Sequence, residues 1–138
     1  MFFKKEKEEV KNNNFITKVC ALLIHAAKID ENYTDKEEEI IKRTLNELGI
    51  ENENVSKTIK EAKIIEESSN QILDFTREVK GLPEQDKIKI VEALWSIIYS
   101  NKDADVYETN LMRRLAGLLY IDNKTMGDIK EKIKQKLK

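Results

Sequence analysis

Apolar residues recur along this chain at spacings of three and four, the period of helices with one buried face. In the first segment Ile16, Val19, Cys20, Leu23 and Ala27 form such a stripe, with Lys18, Ala21, His25 and Lys28 on the opposite side. The spacing predicts a first helix that starts near Lys4 or, if Asn12, Asn13 and Asn14 interrupt it, near Phe15, and ends at Ile29. Thr34 and Glu37 have the spacing of a capping box, so a second helix starts there and buries Ile40, Ile41, Leu45 and Leu48. Gly49 suits the left-handed position just past its end. A third helix over 54–67 carries Val55, Ile59, Ala62 and Ile65, and the SSN segment at 68–70 breaks it.

A fourth helix with Ile72, Leu73, Phe75 and Val79 is expected to run to Gly81, and Pro83 opens the fifth. The fifth is the most apolar, with Ile88, Val91, Leu94, Trp95, Ile97 and Ile98, and is predicted to be central. The sixth starts at Asp105 with Leu111, Met112, Leu115 and Leu119 inward. The seventh, from about Asn123, carries Met126, Ile129, Ile133 and Leu137. With every connection short, the pattern predicts an all-α, compact bundle of about seven helices. Residues 1–14 read as an N-terminal helical extension or arm, and 15–138 as a single helical domain.

The chain also repeats itself. The segment from Leu23 to Asn52 aligns without gaps on the segment from Leu94 to Asn123, an offset of 71 positions. Glu37 falls on Glu108, Leu48 on Leu119, Ile50 on Ile121, and the basic pair Lys42 and Arg43 on Arg113 and Arg114. Shared helical periodicity aligns apolar positions, but not also a first-turn Glu, a basic pair and an Asn beyond the helix. The pattern therefore predicts a duplicated helix–loop–helix with a pseudo-twofold relation.

Composition agrees with a helical domain. Charged residues make up 37% of the 138, with one Pro and four Gly, which suits helices with charged outer faces and gives few turn signals for strands. The net charge of −1 argues against a nucleic-acid partner, which calls for a clearly basic surface. No apolar run reaches the roughly 18 residues of a membrane span, and MFFKKEKEEVK lacks a signal-peptide apolar region. Cys20, the single Cys, gives no sign of an oxidising compartment. The expected location is cytoplasmic.

Several of these residues carry a resemblance. AAKIDENYTDKEEEII holds a small residue, Asp30, a turn, and Glu37 seven residues later. The second repeat holds Trp95, a loop, Asp105-x-Tyr107-Glu108, and the Arg113-Arg114 pair, and LDFTREVKGLPEQDKIKIVEALW, with Asp74, precedes it. In order and spacing the stretch from about 15 to 125 resembles the tellurite-resistance TerB-like family, whose helical domain also occurs in DnaJ-like co-chaperones. Where that family usually has Asp-Gly, this chain has Asp30-Glu31 and Asn101-Lys102. The resemblance implies a fold of about seven helices, an acidic surface, divalent-cation binding, and a link to stress or tellurite resistance in some members. It names a fold more firmly than a function.

The candidate chemistry lies in two acidic loops. Asp30, Asn32, Asp35 and Glu37 line the first; Asn101, Asp103, Asp105 and Glu108 line the second. Carboxylates and amide carbonyls suit hard cations such as Ca²⁺ or Mg²⁺, so Asp30, Asp35, Glu37, Asp103, Asp105 and Glu108 are the candidate metal ligands. The competing reading makes Glu37, Asp105 and Glu108 helix-capping residues. The second loop starts like an EF-hand at Asn101, Asp103 and Asp105, yet Val106 stands where that loop needs Gly and Met112 where it needs Glu. Any cation is therefore expected to bind weakly.

One His and one Cys leave little for a Zn cluster or Cys–His catalysis, and no GxGxxG or P-loop is present. His25 is expected to be an exposed, incidental side chain, and Cys20 a small core residue. The residues predict no catalytic group and a non-enzymatic binding or adaptor module contacting a divalent cation or a basic protein partner. The alternative is a structural, oligomerising domain, a homodimer for instance, whose acidic loops are only caps. The Lys-rich end at 130–138 fits either an ordinary terminal helix or one that touches an anionic membrane.

Overall fold

Leu22, Leu23 and Ile24 follow one another and are all fully buried, so the first helix cannot have one apolar face only. In the computed structural model, which describes residues 2–28, 34–68, 73–77, 79–100 and 106–136, α1 (Phe2–Ala27) is unbroken. The three Asn leave it intact, because each costs only a few tenths of a kcal/mol relative to better helix formers (~0.5). Val19 to Ile24, together with Ala26 and Ala27, are buried, Ala21 included. A helix that is apolar on every side belongs in the middle of a fold. Accordingly α1 packs against α2 (Asp35–Glu47), α3 (Asn52–Ser68), α4 (Leu73–Thr76) and α5 (Glu84–Tyr99). The expectation of a one-sided α1 beside a central α5 is corrected: both are core helices, and α1 has the more neighbours. The predicted end at Ile29 lies outside the described residues.

The remaining helices follow their apolar spacing. α2 buries Ile41 and Leu45, α3 buries Val55, Ile59 and Ala62, and α5 buries Ile90, Val91, Ala93, Leu94, Trp95, Ile97 and Ile98. α6 (Val106–Leu118) supplies Met112, Leu115 and Ala116, and α7 (Asn123–Lys136) supplies Met126, Ile129 and Ile133. α7 packs on α5, and α6 touches α4 and α7. The expected fourth helix is shorter than predicted. It stops at Thr76, and Val79–Gly81 forms a separate 3-10 turn. Pro83 disfavours a helical Leu82 and Gly81 is a poor helix former, so the 3-10 turn goes no further. Phe75 and Val79 are both buried all the same. Pro83 stands at the N-cap of α5, one residue outside the first turn.

The repeat is visible in the backbone. After α2 the N–H of Gly49 donates to the Asn46 carbonyl (3.1 Å) and that of Ile50 to the Leu45 carbonyl (2.9 Å). After α6 the N–H of Tyr120 donates to Gly117 (3.3 Å) and that of Ile121 to Ala116 (2.9 Å). These are two Schellman turns, bond for bond, 71 positions apart. Among the described residues, Gly49 (φ 103°) and Tyr120 (φ 56°) are in the left-handed region. The two hairpins are also adjacent, since α1 and α2 both pack on α5. α7 is capped by Asp122, whose carboxylate accepts from the Thr125 N–H (2.7 Å) and hydroxyl (3.0 Å). Those bonds, the backbone one first, hold Asp122 below the usual carboxylate range.

Two measurements test this packing. Gly49→Ala places a Cβ at a left-handed residue and should destabilise the fold by about 1 kcal/mol in urea titrations. Gly127→Ala, at an exposed site inside α7 with nothing within 4 Å of the new Cβ, should stabilise it by roughly 0.5–1 kcal/mol.

Cys20 tests the burial of α1. Desolvation dominates there and pushes the thiol from its ordinary 9.0 up to about 12. The thiol therefore ionises more easily in the unfolded chain than in the folded one. Its contribution is complete below the unfolded value and is lost as pH rises toward the folded one. Relative to a Cys20→Ala variant, the wild type should lose about 1.4 kcal/mol of stability per pH unit above roughly pH 9.

Candidate functional site

The junction of α1 and α2 carries the first acidic segment, and a capping box fixes it. Thr34 sits in extended backbone (φ −97°, ψ 163°). Its N–H (3.0 Å) and hydroxyl (2.9 Å) both donate to Oε1 of Glu37, while the Glu37 N–H donates back to Oγ1 of Thr34 (3.3 Å). Glu37 is fully buried. Its carboxylate meets the positive end of α2 as well as Thr34, which explains how an acidic side chain is held inside the fold. Asp35, beside it, is exposed. Glu38 reaches Lys63 on α3 (3.5 Å) and ties the two helices together.

Of the six predicted ligands, the side chains of Asp35 and Glu37 are described: one points outward, the other is a buried cap. Asp30, Asp103 and Asp105, with Asn32 and Asn101, lie outside the described residues. Glu108 is in α6, with its side chain outside the described set. Among the described residues no group of three or more His, Cys, Asp or Glu is arranged to hold a metal ion.

The helix directions bear on where the two segments start. Lys89, in the first half of α5, donates to the carbonyl of Glu47 at the end of α2 (3.4 Å). Lys36 and Ser100 line one cleft. α2 thus runs antiparallel to α5, and its first turn lies toward the last turn of α5. Thr34 and Ser100, which border the two acidic segments, are therefore at the same end of the bundle.

A second cluster at that end escaped the spacing argument. Glu66 and Glu67 stand in the last turn of α3, where the helix dipole disfavours carboxylates. Lys28 donates to Glu66 (3.0 Å) and lies 3.8 Å from Glu67, and Nδ1 of His25 is 3.4 Å from Glu66. The Glu66 side chain is only 11% exposed. His25 is half-buried rather than incidental, and its ring tilts against Phe75 at 6.4 Å. The readable signal was the pair of carboxylates at a helix C-terminus, which calls for cations from elsewhere.

α2, α5 and α7 also enclose a cleft of about 900 Å³. Tyr99 at its side stacks on Trp95 (5.8 Å, 22°), and Lys130 sits 5.4 Å from the centre of the Trp95 ring. Burial, and then the Glu131 carboxylate, push the Tyr99 phenol above its ordinary range.

Helix order, the capped α2 and the paired hairpins can now be set beside known proteins. The model of the family described as tellurite resistance protein TerB matches residues 17–131. The chain belongs to the TerB family. No curated protein and no solved structure matches it. The TerB match starts within the buried half of α1, spans both hairpins and ends within α7. No helix among the described residues of this TerB chain is long and apolar enough to cross a membrane.

The capping box is a direct test of the site's geometry. Thr34→Ala removes one acceptor and one donor around a buried carboxylate, and should lower stability by about 1–2 kcal/mol. Thr34→Ser should recover most of that loss in the same thermal-denaturation assay.

Proposed function

We propose that this TerB chain is a non-enzymatic binding module whose contact surface is its acidic end, taking up a divalent cation or a basic partner. The observation that supports this is the direction of the helices: Thr34 and Ser100, the borders of the two acidic segments, stand at one end of the bundle. Asp30, Asp35, Asp103, Asp105 and Glu108 supply the carboxylates, and Asn32 and Asn101 add amide oxygens. Glu37 belongs to the same set in sequence, and its part is to hold Thr34 and so the start of α2. Oxygen ligands of this kind favour Ca²⁺ or Mg²⁺ over softer metals. The protein is expected to act in the cytoplasm and to hand this contact on to another protein. A tellurite or stress role follows from the family alone.

The alternative of a purely structural, self-associating domain calls for a continuous exposed apolar patch. The two strongly exposed large apolar side chains among the described residues lie on separate elements, Ile64 (65%) within α3 and Tyr120 (73%) just past the end of α6. Scattered apolar side chains of this kind are ordinary on a monomer surface.

Thermal melts of the full chain with Ca²⁺, Mg²⁺ or Mn²⁺, and separately with an oligolysine peptide, test the acidic end. A ligand of the folded state must raise the melting temperature as its concentration passes its dissociation constant. The expected result is a saturable rise with one of these probes that is lost in an Asp30→Asn/Glu108→Gln double variant. No rise at millimolar metal or peptide would remove the acidic end as a binding surface.

A further inference from the structure

The cleft between α2, α5 and α7 is chemically unlike the acidic end. α5 forms its floor, where Ala93, Ser96 and Ser100 leave room for another backbone to come close. Ile40 from α2 and Tyr99 from α5 put apolar surface on its sides, and Ile133 from α7, itself buried, backs the third. Lys36, Lys42, Arg43, Lys89 and Lys136 surround it, against the three carboxylates of Glu39, Glu47 and Glu92. Glu92 is already held by Lys132 at 3.3 Å, from outside the cleft lining. Lys36, Lys42, Arg43 and Lys136 have no ion-pair partner among the described residues. On a chain whose net charge is −1, this is a locally positive, partly apolar groove.

Its length follows from α5. From Lys89 to Ser100 a helix advances about 17 Å, at ~1.5 Å per residue. That is room for about three turns of a second helix. A small anion would leave most of the apolar sides uncovered. A nucleic-acid backbone would leave Ile40 and Tyr99 without contact and set its phosphates against Glu39 and Glu47.

We propose that this groove docks an acidic amphipathic helix of a partner protein, its apolar edge on Ile40 and Tyr99 and its carboxylates toward Lys36, Lys42, Arg43 and Lys136. This is the helix-in-groove mode, with charge setting the partner and apolar anchors setting the register. The groove runs along α5 away from the acidic end, which it meets at Lys36 and Ser100, and a cation at that end is not required for a helix in the groove.

The test uses the full chain and fluorescence anisotropy with a labelled peptide of about 16 residues, Leu at helical three–four spacing and Glu flanking it. A twin peptide carries Lys in place of Glu. The Glu peptide should bind saturably at micromolar protein, and more weakly as NaCl rises from about 50 to about 500 mM. Lys36→Glu/Arg43→Glu should weaken it about tenfold or more, and Ser96→Trp should fill the floor and abolish it. Lys57→Glu/Lys60→Glu, which makes the same charge change on the exposed face of α3, should bind as the wild type does. Circular dichroism confirms that each variant is folded. Absence of saturable binding, equal binding of the Lys twin, or an unaffected Lys36→Glu/Arg43→Glu variant would overturn the proposal. So would displacement of the peptide by a single-stranded oligonucleotide at equal concentration. Sedimentation showing a dimer that Ser96→Trp dissociates would give the groove to a second copy instead.

Discussion

From Val19 to Ala27 only His25 on α1 keeps a partial view of solvent, and every helix beside it has to present an apolar face there. That demand orders the rest. α2, α3, α4 and α5 all pack against it. Polar groups near this helix must be held by partners, because an unpaired charge inside the bundle would cost several kcal/mol (~3–5). Glu37 in its capping box and Glu66 between Lys28 and His25 are two such solutions, both at the end of α1 where the apolar run gives way to charge.

Helix positions and ends were legible from local rules. A Thr and a Glu three apart define a capping box wherever a helix begins, and a Gly after an apolar stripe marks a Schellman end; both describe groups a few residues from each other. The central place of α1 was harder to read. Period counting selects the best single face and assigned Ala21 to the wet side, although VCALLIHAA has almost no polar residue to face water. His25 and Glu66 lie 41 positions apart, a separation at which spacing has no meaning. The groove along α5 was invisible for the same reason, since its cations come from three helices and its floor from residues chosen for being small.

The candidate site is legible in a different proportion. Sequence places six carboxylates on two short segments, and structure shows that the borders of both share one end of the bundle. It also separates two members that look equivalent on paper: Asp35 is exposed and Glu37 is fully buried one turn start away. Acidic residues at helix starts serve the helix and a ligand by the same electrostatics, so residue type alone does not divide them; burial does.

Gly49 and Tyr120 occupy one turn in two copies, with the same pair of backbone bonds behind each. In an alignment of the two halves they score as a plain mismatch, glycine against an aromatic. In the backbone they are equivalent, each at a positive φ (103° and 56°) behind the same two hydrogen bonds. The likeness of the two hairpins at this turn is therefore kept by where the carbonyls point and not by which side chain stands there, so an internal repeat of this kind has to be sought in hydrogen-bond patterns as well as in letters.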